Sequence, residues 1–511
     1  MILYNPVISG FYPDPSIYRV GNVYYLACST LEYYPGFPIF CSLDLVHWKQ
    51  ITYAFDGTGE QLLSYEPEKY ELYAPTLRYH GGLFYLISTN ILGGGHFIIT
   101  ASKAEGPWSK PVWIKGDGKG DGHDPDLFFD DDGQVYFSRF TWDRGIVQWK
   151  LDLDSGRVLS EGKTIWKGFE DRYCECPHLY RKDDWYYLLA AEGSTGFGHM
   201  VVCARSKKPD GPFEGCPHNP ILSHRALVLE TIKCVGHGDL TVGPDGKWWM
   251  VFQGTRQNLA CGMRVLGRET YLAPVDWDED GWPVVNYGRP IRAAMECDRT
   301  LPEILLEGEP NFDDFNDTVL SLCWSFHYPP KENSWSLSDY PGWLTLYGQA
   351  GSLDDGNQMS MVVRRQRSIN FQAKTRLSFE PEEDGEEAGI TAFASGYHHY
   401  ETGILQTGGK KVLFWRKRIG DLAQTMVICE LQDKGEGITL AIRGDDTYYE
   451  LGYAEDKDED ICWCQKGLAK YLATEVAGSS DGVFIGMYAT GNGRCTKVPG
   501  RFDWFLMEQQ G

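Results

Sequence analysis

The chain has 511 residues, of which 42% are hydrophobic and 14% aromatic, and its formal net charge is −23. This length suffices for two or three domains with sizeable cores. The acidic balance argues against nucleic acid and anionic membrane surfaces as partners, because both require a basic footprint. The 17 Trp, 30 Tyr and 24 Phe residues fill cores, but they also favour a neutral ligand with flat faces, such as a sugar.

The start of the chain, "MILYNPVISGFYPDPS", lacks a basic first segment, an apolar core and a small-residue cleavage site. No run of 18 or more apolar residues occurs later. The 14 cysteines are scattered without a compact framework, which is typical of reduced thiols. We therefore expect a cytoplasmic protein that does not enter a membrane.

A triplet of Pro or Gly, a polar residue and an apolar residue recurs five times, starting at Pro15, Pro75, Pro125, Pro177 and Gly238. An aromatic residue follows each start by ten or eleven positions, within strand-like runs such as "VYYLACS" and "KWWMVFQ". Turn residues separate triplet and run, which is the pattern of a β-hairpin. Five units of this kind predict an N-terminal five-bladed β-propeller over residues 1–295.

The innermost strands of a propeller all begin around one central channel. The residues that precede the triplets therefore face one funnel, and they are Asp14, Ala74, Asp124, Cys176 and His237, with Glu175 one step earlier. Two carboxylates across a glycosidic bond are the minimum for its hydrolysis, because one must be protonated and the other ionised. On the repeat alone, Asp14 and Asp124 could equally be residues of Asp-Pro turns.

The repeat ends near residue 295, and we expect the segment 296–310 to be a linker. From residue 311 to 511, alternating strand patterns such as "GITLAIRG" and "GVFIGMYATG" dominate, with little helical periodicity. This pattern predicts a β-sandwich as the second domain. The fold class is therefore all-β.

Five ordered motifs resemble those of glycoside hydrolase family 43: "GFYPDPSI", "GHDPDLF", "CECPHLY", "VGHGDL" and "LGRET". The similarity is greatest to its two-domain β-xylosidases and α-L-arabinofuranosidases, in which the C-terminal sandwich is lectin-like. The resemblance implies that Asp14 is the general base, that Glu175 is the general acid and that Asp124 tunes and positions the acid. It also implies inversion of configuration, which requires about 6.5–9.5 Å between the two carboxyl groups.

The resemblance further implies that His237 contacts a central water or metal ion and that Arg268 reaches the sugar and the carboxylates. Motif position nominates further pocket residues, each of which could instead serve packing alone: Tyr73, Ala74, Trp142, Thr195, Phe197 and, at the rim from the second domain, Phe502. The chemistry requires no cofactor. Asp313 and Asp503 are candidates for a structural Ca²⁺, because oxygen ligands suit that ion.

These inferences favour an inverting exo-glycosidase that removes terminal D-xylose from xylo- or arabinoxylo-oligosaccharides, a β-1,4-xylosidase. Leu31, Tyr73 and Cys176 stand where many xylosidase-like members have other residues, so α-L-arabinofuranosidase activity, or both activities, stays open. A non-catalytic carbohydrate-binding propeller and a scaffold for protein partners remain as alternatives, although neither needs three converging carboxylates. The sequence does not decide between a monomer and a homo-oligomer.

Overall fold

The structure is a computed structural model of the chain. It describes residues 1–58, 61, 63, 69–118, 122–170, 172–260, 262–356, 359–431, 437–455, 460–479 and 481–509. These residues form two compact units, and the first comprises Met1–Arg256 and Glu269–Gly308, the second Gln257–Arg268 and Glu309–Gly511. Across the described ranges, no helix has the length and apolar character needed to span a membrane.

The first unit is a β-propeller of five antiparallel sheets, which confirms the fold predicted from the repeat. Each triplet lies in or at the start of the innermost strand of one blade. The strands of blade one are Ser16–Val20, Val23–Ala27, Gly36–Ser42 and Lys49–Phe55, with the short strand Tyr33–Tyr34 before the third. Those of blade two are Thr76–His80, Leu83–Asn90, Gly95–Ala101 and Val112–Trp113.

The remaining blades follow the same plan. Blade three contains Asp126–Phe129, Val135–Thr141, Gly145–Asp152, Arg157–Val158 and Lys163–Trp166. Blade four contains Glu175–Lys182, Trp185–Glu192, Met200–Ser206, Glu214–Gly215 and Leu222–Ser223. Blade five contains Ile232–Val242, Trp248–Arg256, Glu269–Trp277 and Pro283–Val285, followed by the 3₁₀ turn Asn286–Gly288.

The blade strands are buried on both faces because each blade packs between two neighbours. In the strand Trp248–Arg256 every residue except the two at its ends is buried. One apolar cluster joins Leu26 of blade one, Leu189 of blade four and Trp249 of blade five. The ring is fastened by the strand Ile2–Tyr4, which pairs antiparallel with Ala294–Glu296.

A layer of polar side chains, here called the belt, links the inner strands of all five blades. Its members are Ser16, Arg78, Asp126, His178 and Asp239, one from each blade. Arg78 donates to Asp126 at 2.7 Å and to Asp239 at 3.3 Å, and its Nη2 lies 3.1 Å from Nδ1 of His178. The hydroxyl of Ser16 donates to Asp239 at 2.8 Å. All five side chains are buried, so the belt is a buried polar network within the propeller.

The segment 296–310, which we expected to be a linker, is largely part of the first unit. Arg299 is buried and donates to the carbonyl oxygen of Val275 at 2.8 Å. The backbone N–H of Ile304 donates to Asp44 at 2.8 Å. These polar contacts tie the segment to the propeller, and a composition-based boundary does not reveal them.

A second departure from the expected boundaries concerns Gln257–Arg268, which interrupts blade five and belongs to the second unit. Arg264 forms an ion pair with Glu475 at 2.7 Å. The N–H of Val483 donates to the carbonyl oxygen of Val265 at 2.9 Å. The second unit is therefore built from two separate parts of the chain.

The second unit is a β-sandwich, as predicted. One sheet has the strand order Trp335–Ser336, Leu344–Leu346, Gly500–Gln509, Phe371–Ser378, Ile438–Gly444, Tyr448–Ala454 and Cys462–Leu468, and Phe312–Asp313 also pairs with Gly500–Gln509. The other has the order Leu422–Glu430, Lys410–Ile419, His398–Thr407, Glu387–Ser395, Phe484–Thr490, Ser360–Arg365 and Ser325–His327. The described helical segments are short: Leu353–Asp355, Ala469–Leu472 and Thr474–Ala477.

Candidate active site

Four residues that directly precede a repeated triplet share one unusual backbone conformation. Asp14, Asp124, Cys176 and His237 have φ angles of 56°, 54°, 55° and 49°. The left-handed region is uncommon for residues with a Cβ atom, costs about 1–3 kcal/mol each, and clusters at functional sites. The same conformation thus recurs at equivalent points of blades one, three, four and five.

The structure brings the three carboxylates nominated from the sequence into one cluster. Nδ1 of His237 lies 3.3 Å from Oδ1 of Asp14. One ligand atom each from Asp124, Cys176 and His237 lie within 4.8 Å of one another, and the same holds for His123, Asp124 and Glu175. Carboxylates from blades one, three and four therefore surround a common centre.

Asp14 is buried, and its carboxylate is held by a donor. The hydroxyl of Ser29 donates to Oδ2 at 2.5 Å. The backbone N–H of Asp14 donates to the side-chain oxygen of Gln253 in blade five at 3.0 Å. A carboxylate whose position is fixed in this way can accept a proton from a water molecule at a defined place.

Asp124 accepts a hydrogen bond from the thiol of Cys176, whose Sγ lies 2.9 Å from Oδ2. Burial raises the pKa of Cys176 well above its usual value, and the charge of Asp124 adds to this, so the sulfur stays a protonated donor. A Ca²⁺ ion takes six to eight oxygen ligands. The set of one imidazole, one protonated thiol and a carboxylate already bonded to that thiol does not fit such an ion.

Glu175 is the first residue of the inner strand of blade four and pairs with Ala191. Burial raises the pKa of its carboxyl group, and the charge of Asp124 raises it further, while His123 acts in the opposite direction. A carboxyl group that keeps its proton near neutral pH is what a general acid requires. Asp124 is close enough to affect Glu175 in the way that the sequence motif implies.

His123 is a site residue that the sequence analysis missed, although it lies in the motif "GHDPDLF". Its Nε2 atom lies 3.4 Å from Oε1 of Glu175 and 3.9 Å from Oδ2 of Asp124. Burial disfavours the charged imidazole, but the charges of Asp124, Glu175 and Asp14 outweigh it and raise the pKa of His123 to about 9. Glu175, which the sequence motif nominates as the general acid, therefore has a basic neighbour.

Gly122 explains how the chain reaches this position. It has a φ of +115°, and a Cβ atom there would lie 1.8 Å from the carbonyl oxygen of Phe140. The N–H of Phe140 in turn donates to the carbonyl oxygen of His123 at 3.1 Å. Only glycine permits this close approach, which directs His123 toward the inner strand of blade four.

Aromatic rings lie on the His123 side of the cluster. Trp142 is 60% exposed and its ring packs at 5.9 Å against that of Tyr173, which is 49% exposed and was not nominated from the sequence. Tyr73 is half-buried and its ring contacts that of His123. Phe197, 49% exposed, lies in the loop after the strand Trp185–Glu192. Exposed aromatic faces beside a polar cluster suit a sugar ring.

The other pocket candidates have different environments. Ala74 is buried, and Thr195 lies half-buried in the same loop as Phe197. Glu192, also missed from the sequence, is fully buried and accepts the backbone N–H of Glu170 at 2.8 Å. It thereby holds the loop that precedes Tyr173.

Two pocket candidates, Phe502 and Arg268, belong to the second unit. Phe502 is fully buried and pairs with Leu344 within the sandwich, so the expectation of an aromatic at a pocket rim is wrong. Its position in the strand turns the ring to the core face, which the motif alone did not specify. Arg268 is buried at the end of the segment Gln257–Arg268, and its contact with the sugar stays a prediction.

Asp313, nominated as a calcium ligand, has both carboxylate oxygens bonded within its own unit. They accept the N–H of Phe315 at 2.9 Å and the indole N–H of Trp324 at 2.8 Å. In the part of the chain that the structure describes, no cluster with metal-ligand spacing includes Asp313 or Asp503. Asp313 thus stabilises a turn of the sandwich.

Two family models together match most of the chain. The model of "Glycosyl hydrolases family 43" matches residues 3–283, and that of the "Beta xylosidase C-terminal Concanavalin A-like domain" matches residues 312–508. A relative from Bacteroides ovatus named non-reducing end alpha-L-arabinofuranosidase is 37% identical over 98% of this chain and 94% of its own. A Butyrivibrio fibrisolvens protein named xylosidase/arabinosidase is 36% identical over 100% of both chains. The crystal structure of a xylan beta-1,4-xylosidase from Bacillus halodurans has a TM-score of 0.90 at 30% identity, covering 99% of this chain and 100% of that one.

Proposed function

Because the chain belongs to glycosyl hydrolase family 43, we propose that it hydrolyses terminal pentosides of xylo- or arabinoxylo-oligosaccharides by an exo-acting, inverting mechanism. The observation that carries the proposal is the cluster of Asp14, Asp124 and Glu175, in which burial and the charge of Asp124 raise the pKa of the Glu175 carboxyl group. Two carboxyl groups of opposite protonation state are what such hydrolysis needs.

In the proposed reaction, Asp14 takes a proton from a water molecule as the water oxygen attacks the anomeric carbon. The bond between that carbon and the leaving oxygen breaks, and Glu175 transfers its proton to the leaving oxygen. Asp14 ends protonated and Glu175 ionised, so one proton must return before the next turnover. The steps use two carboxyl groups and water, and we propose that they require no cofactor.

We place α-L-arabinofuranosides first among the substrates and β-1,4-linked xylosides second, which reverses the order favoured by the sequence alone. The relative named as an arabinofuranosidase matches nearly the whole chain at 37% identity, and another relative carries both activities in its name. Leu31, Tyr73 and Cys176 are also departures from xylosidase-like members. The xyloside stays as a second candidate because of the likeness to the solved xylosidase.

The test uses 4-nitrophenyl α-L-arabinofuranoside and 4-nitrophenyl β-D-xylopyranoside in separate assays with the folded protein. We expect turnover of the arabinofuranoside to exceed that of the xyloside. Proton NMR of the first product should show the β-anomer of arabinose, since an inverting enzyme reverses the anomeric centre. First release of the α-anomer would contradict inversion, and no turnover of either compound would reject the proposed function.

A further inference from the structure

His123 lies where it can hold the carboxyl group of the proposed general acid. Its side chain is only 9% exposed, and Nε2 is 3.4 Å from Oε1 of Glu175. We propose that His123 is the positioning residue of Glu175, which binds one carboxyl oxygen and leaves the other to carry the proton to the leaving group. This inference rests on the proposed function, because His123 can position a general acid only if Glu175 is one.

The two ring nitrogens of His123 have different surroundings, and the difference fixes which one can donate. Nδ1 is buried and has no hydrogen-bond partner within the described residues. Nε2 faces two carboxylates, those of Glu175 at 3.4 Å and Asp124 at 3.9 Å. Nε2 carries an N–H in the charged imidazole and also in the neutral tautomer that its carboxylate neighbours favour, so in either form Nε2 donates toward Glu175.

The ring itself is held in a fixed orientation. Its centroid lies 5.5 Å from that of Tyr73, 5.0 Å from that of Phe140 and 5.7 Å from that of Trp142, each in an edge-to-face arrangement. Such contacts between aromatic rings are individually favourable. Three of them around one buried imidazole make it a rigid support for the neighbouring carboxyl group.

The position of His123 across a blade boundary matters for this role. Glu175 begins the inner strand of blade four, whereas His123 precedes the inner strand of blade three. Asp124, next to His123 in the chain, already accepts the thiol of Cys176, next to Glu175. Two adjacent residues of one blade therefore contact two adjacent residues of the other, and His123 contacts the acid itself.

The experiment compares His123→Phe with His123→Gln on two arabinofuranosides. A 2,4-dinitrophenyl group departs without protonation, whereas a 4-methoxyphenyl group needs the acid. We expect His123→Phe, which keeps a ring within the aromatic contacts, to lower kcat for the methoxyphenyl compound by about 10- to 100-fold with little change in KM. The dinitrophenyl compound should change by less than about threefold, since it bypasses the acid. His123→Gln, which keeps a donor, should restore most of the loss.

A second comparison separates positioning from general damage to the pocket. In a Glu175→Gln background, His123→Phe should not lower kcat further. A residue that acts only by positioning the acid has no effect once the acid is removed. Equal losses on both leaving groups, or a further loss in the Glu175→Gln background, would overturn the inference.

Crystal structures give a readout that does not depend on turnover. In His123→Phe the Glu175 carboxyl group should leave its wild-type position, while in His123→Gln it should stay. An unmoved carboxyl group in the Phe variant would reject the positioning role. Wild-type protein that turns over neither pentoside would reject the proposed function instead, and the two failures are thus distinct.

Discussion

The thiol of Cys176 donates a hydrogen bond of 2.9 Å to the carboxylate of Asp124, across the boundary between blades four and three. Loss of this donor should leave the carboxylate of Asp124 less firmly placed and thereby change its effect on Glu175. A thiol is a weak donor, so we expect Cys176→Ala to lower kcat by about tenfold. Cys176→Ser, which offers a hydroxyl group, should lose less.

The matched control for this prediction is Cys203→Ala, because Cys203 is also fully buried in blade four but lies in its third strand. It should leave kcat within about twofold of wild type, since its thiol donates to the carbonyl oxygen of Ala204 in its own strand. Steady-state kinetics on 4-nitrophenyl arabinofuranoside measure all three variants. Equal effects of the two alanine substitutions would show that Cys176 acts only through packing.

The separate roles proposed for Asp14 and Glu175 predict different responses to the leaving group. Asp14→Asn should lower kcat by about 10²- to 10⁴-fold on every substrate, because water then lacks its base. Glu175→Gln should cause a similar loss on 4-methoxyphenyl glycosides but a small one on 2,4-dinitrophenyl glycosides. Glu214→Gln, which removes an exposed carboxylate of blade four, is the control and should behave as wild type.

The belt predicts a large loss of stability when its one arginine is removed. Arg78→Met should lower the free energy of unfolding of the propeller by about 3–5 kcal/mol, because Asp126 and Asp239 are left buried without their cation. Arg181→Met removes an arginine that pairs with the exposed Asp131, and it should cost less than about 1 kcal/mol. Urea unfolding followed by tryptophan fluorescence measures both, and equal midpoints would contradict the role of the belt.

The sandwich should lose stability as the pH rises above neutral. His399 is fully buried between Glu401 at 2.7 Å and Asp354 at 3.1 Å, and despite burial these charges raise its pKa to about 9. A folded-state pKa above the unfolded value of about 6.5 means that the stabilisation is complete below pH 6.5 and lost as pH rises through about 9. We expect a loss of at most about 3 kcal/mol over that range.

The measurement is the free energy of unfolding at pH 6, 7.5 and 9, for the wild type and for His399→Gln. The variant should be less stable at pH 6 and should show a flatter dependence on pH, because glutamine does not titrate. An unchanged slope in the variant would assign the pH dependence to other groups.

The sequence analysis succeeded where a local pattern repeats with the fold. The triplets predicted the inner strands because the same hairpin recurs in every blade. Asp14 and Asp124 directly precede a triplet and Glu175 lies one residue further back, and the structure brings the three together. His123 lies one residue before the repeated position, as Glu175 does, but a histidine there did not fit the search for paired carboxylates and received no role. Its contact with Glu175 is made between blades, and residue spacing does not encode such distances.

The errors have a similar physical origin. Phe502 lies in a strand whose neighbouring residues alternate between two faces, and the motif did not indicate which face is the core. The segment 296–310 has a polar composition typical of a linker, but Arg299 is anchored to the propeller by hydrogen bonds to backbone carbonyl groups. Long-range polar contacts of this kind leave no periodic trace in a sequence.

The passage of Gln257–Arg268 into the second unit has a consequence for engineering. A protein cut after Gly308 would retain this segment but not Glu475 or Val483, to which it is bonded. Exchange of the C-terminal domain between relatives therefore calls for a chimera with three junctions, after residues 256, 268 and 308. In such a chimera, residues 257–268 come from the same relative as the sandwich.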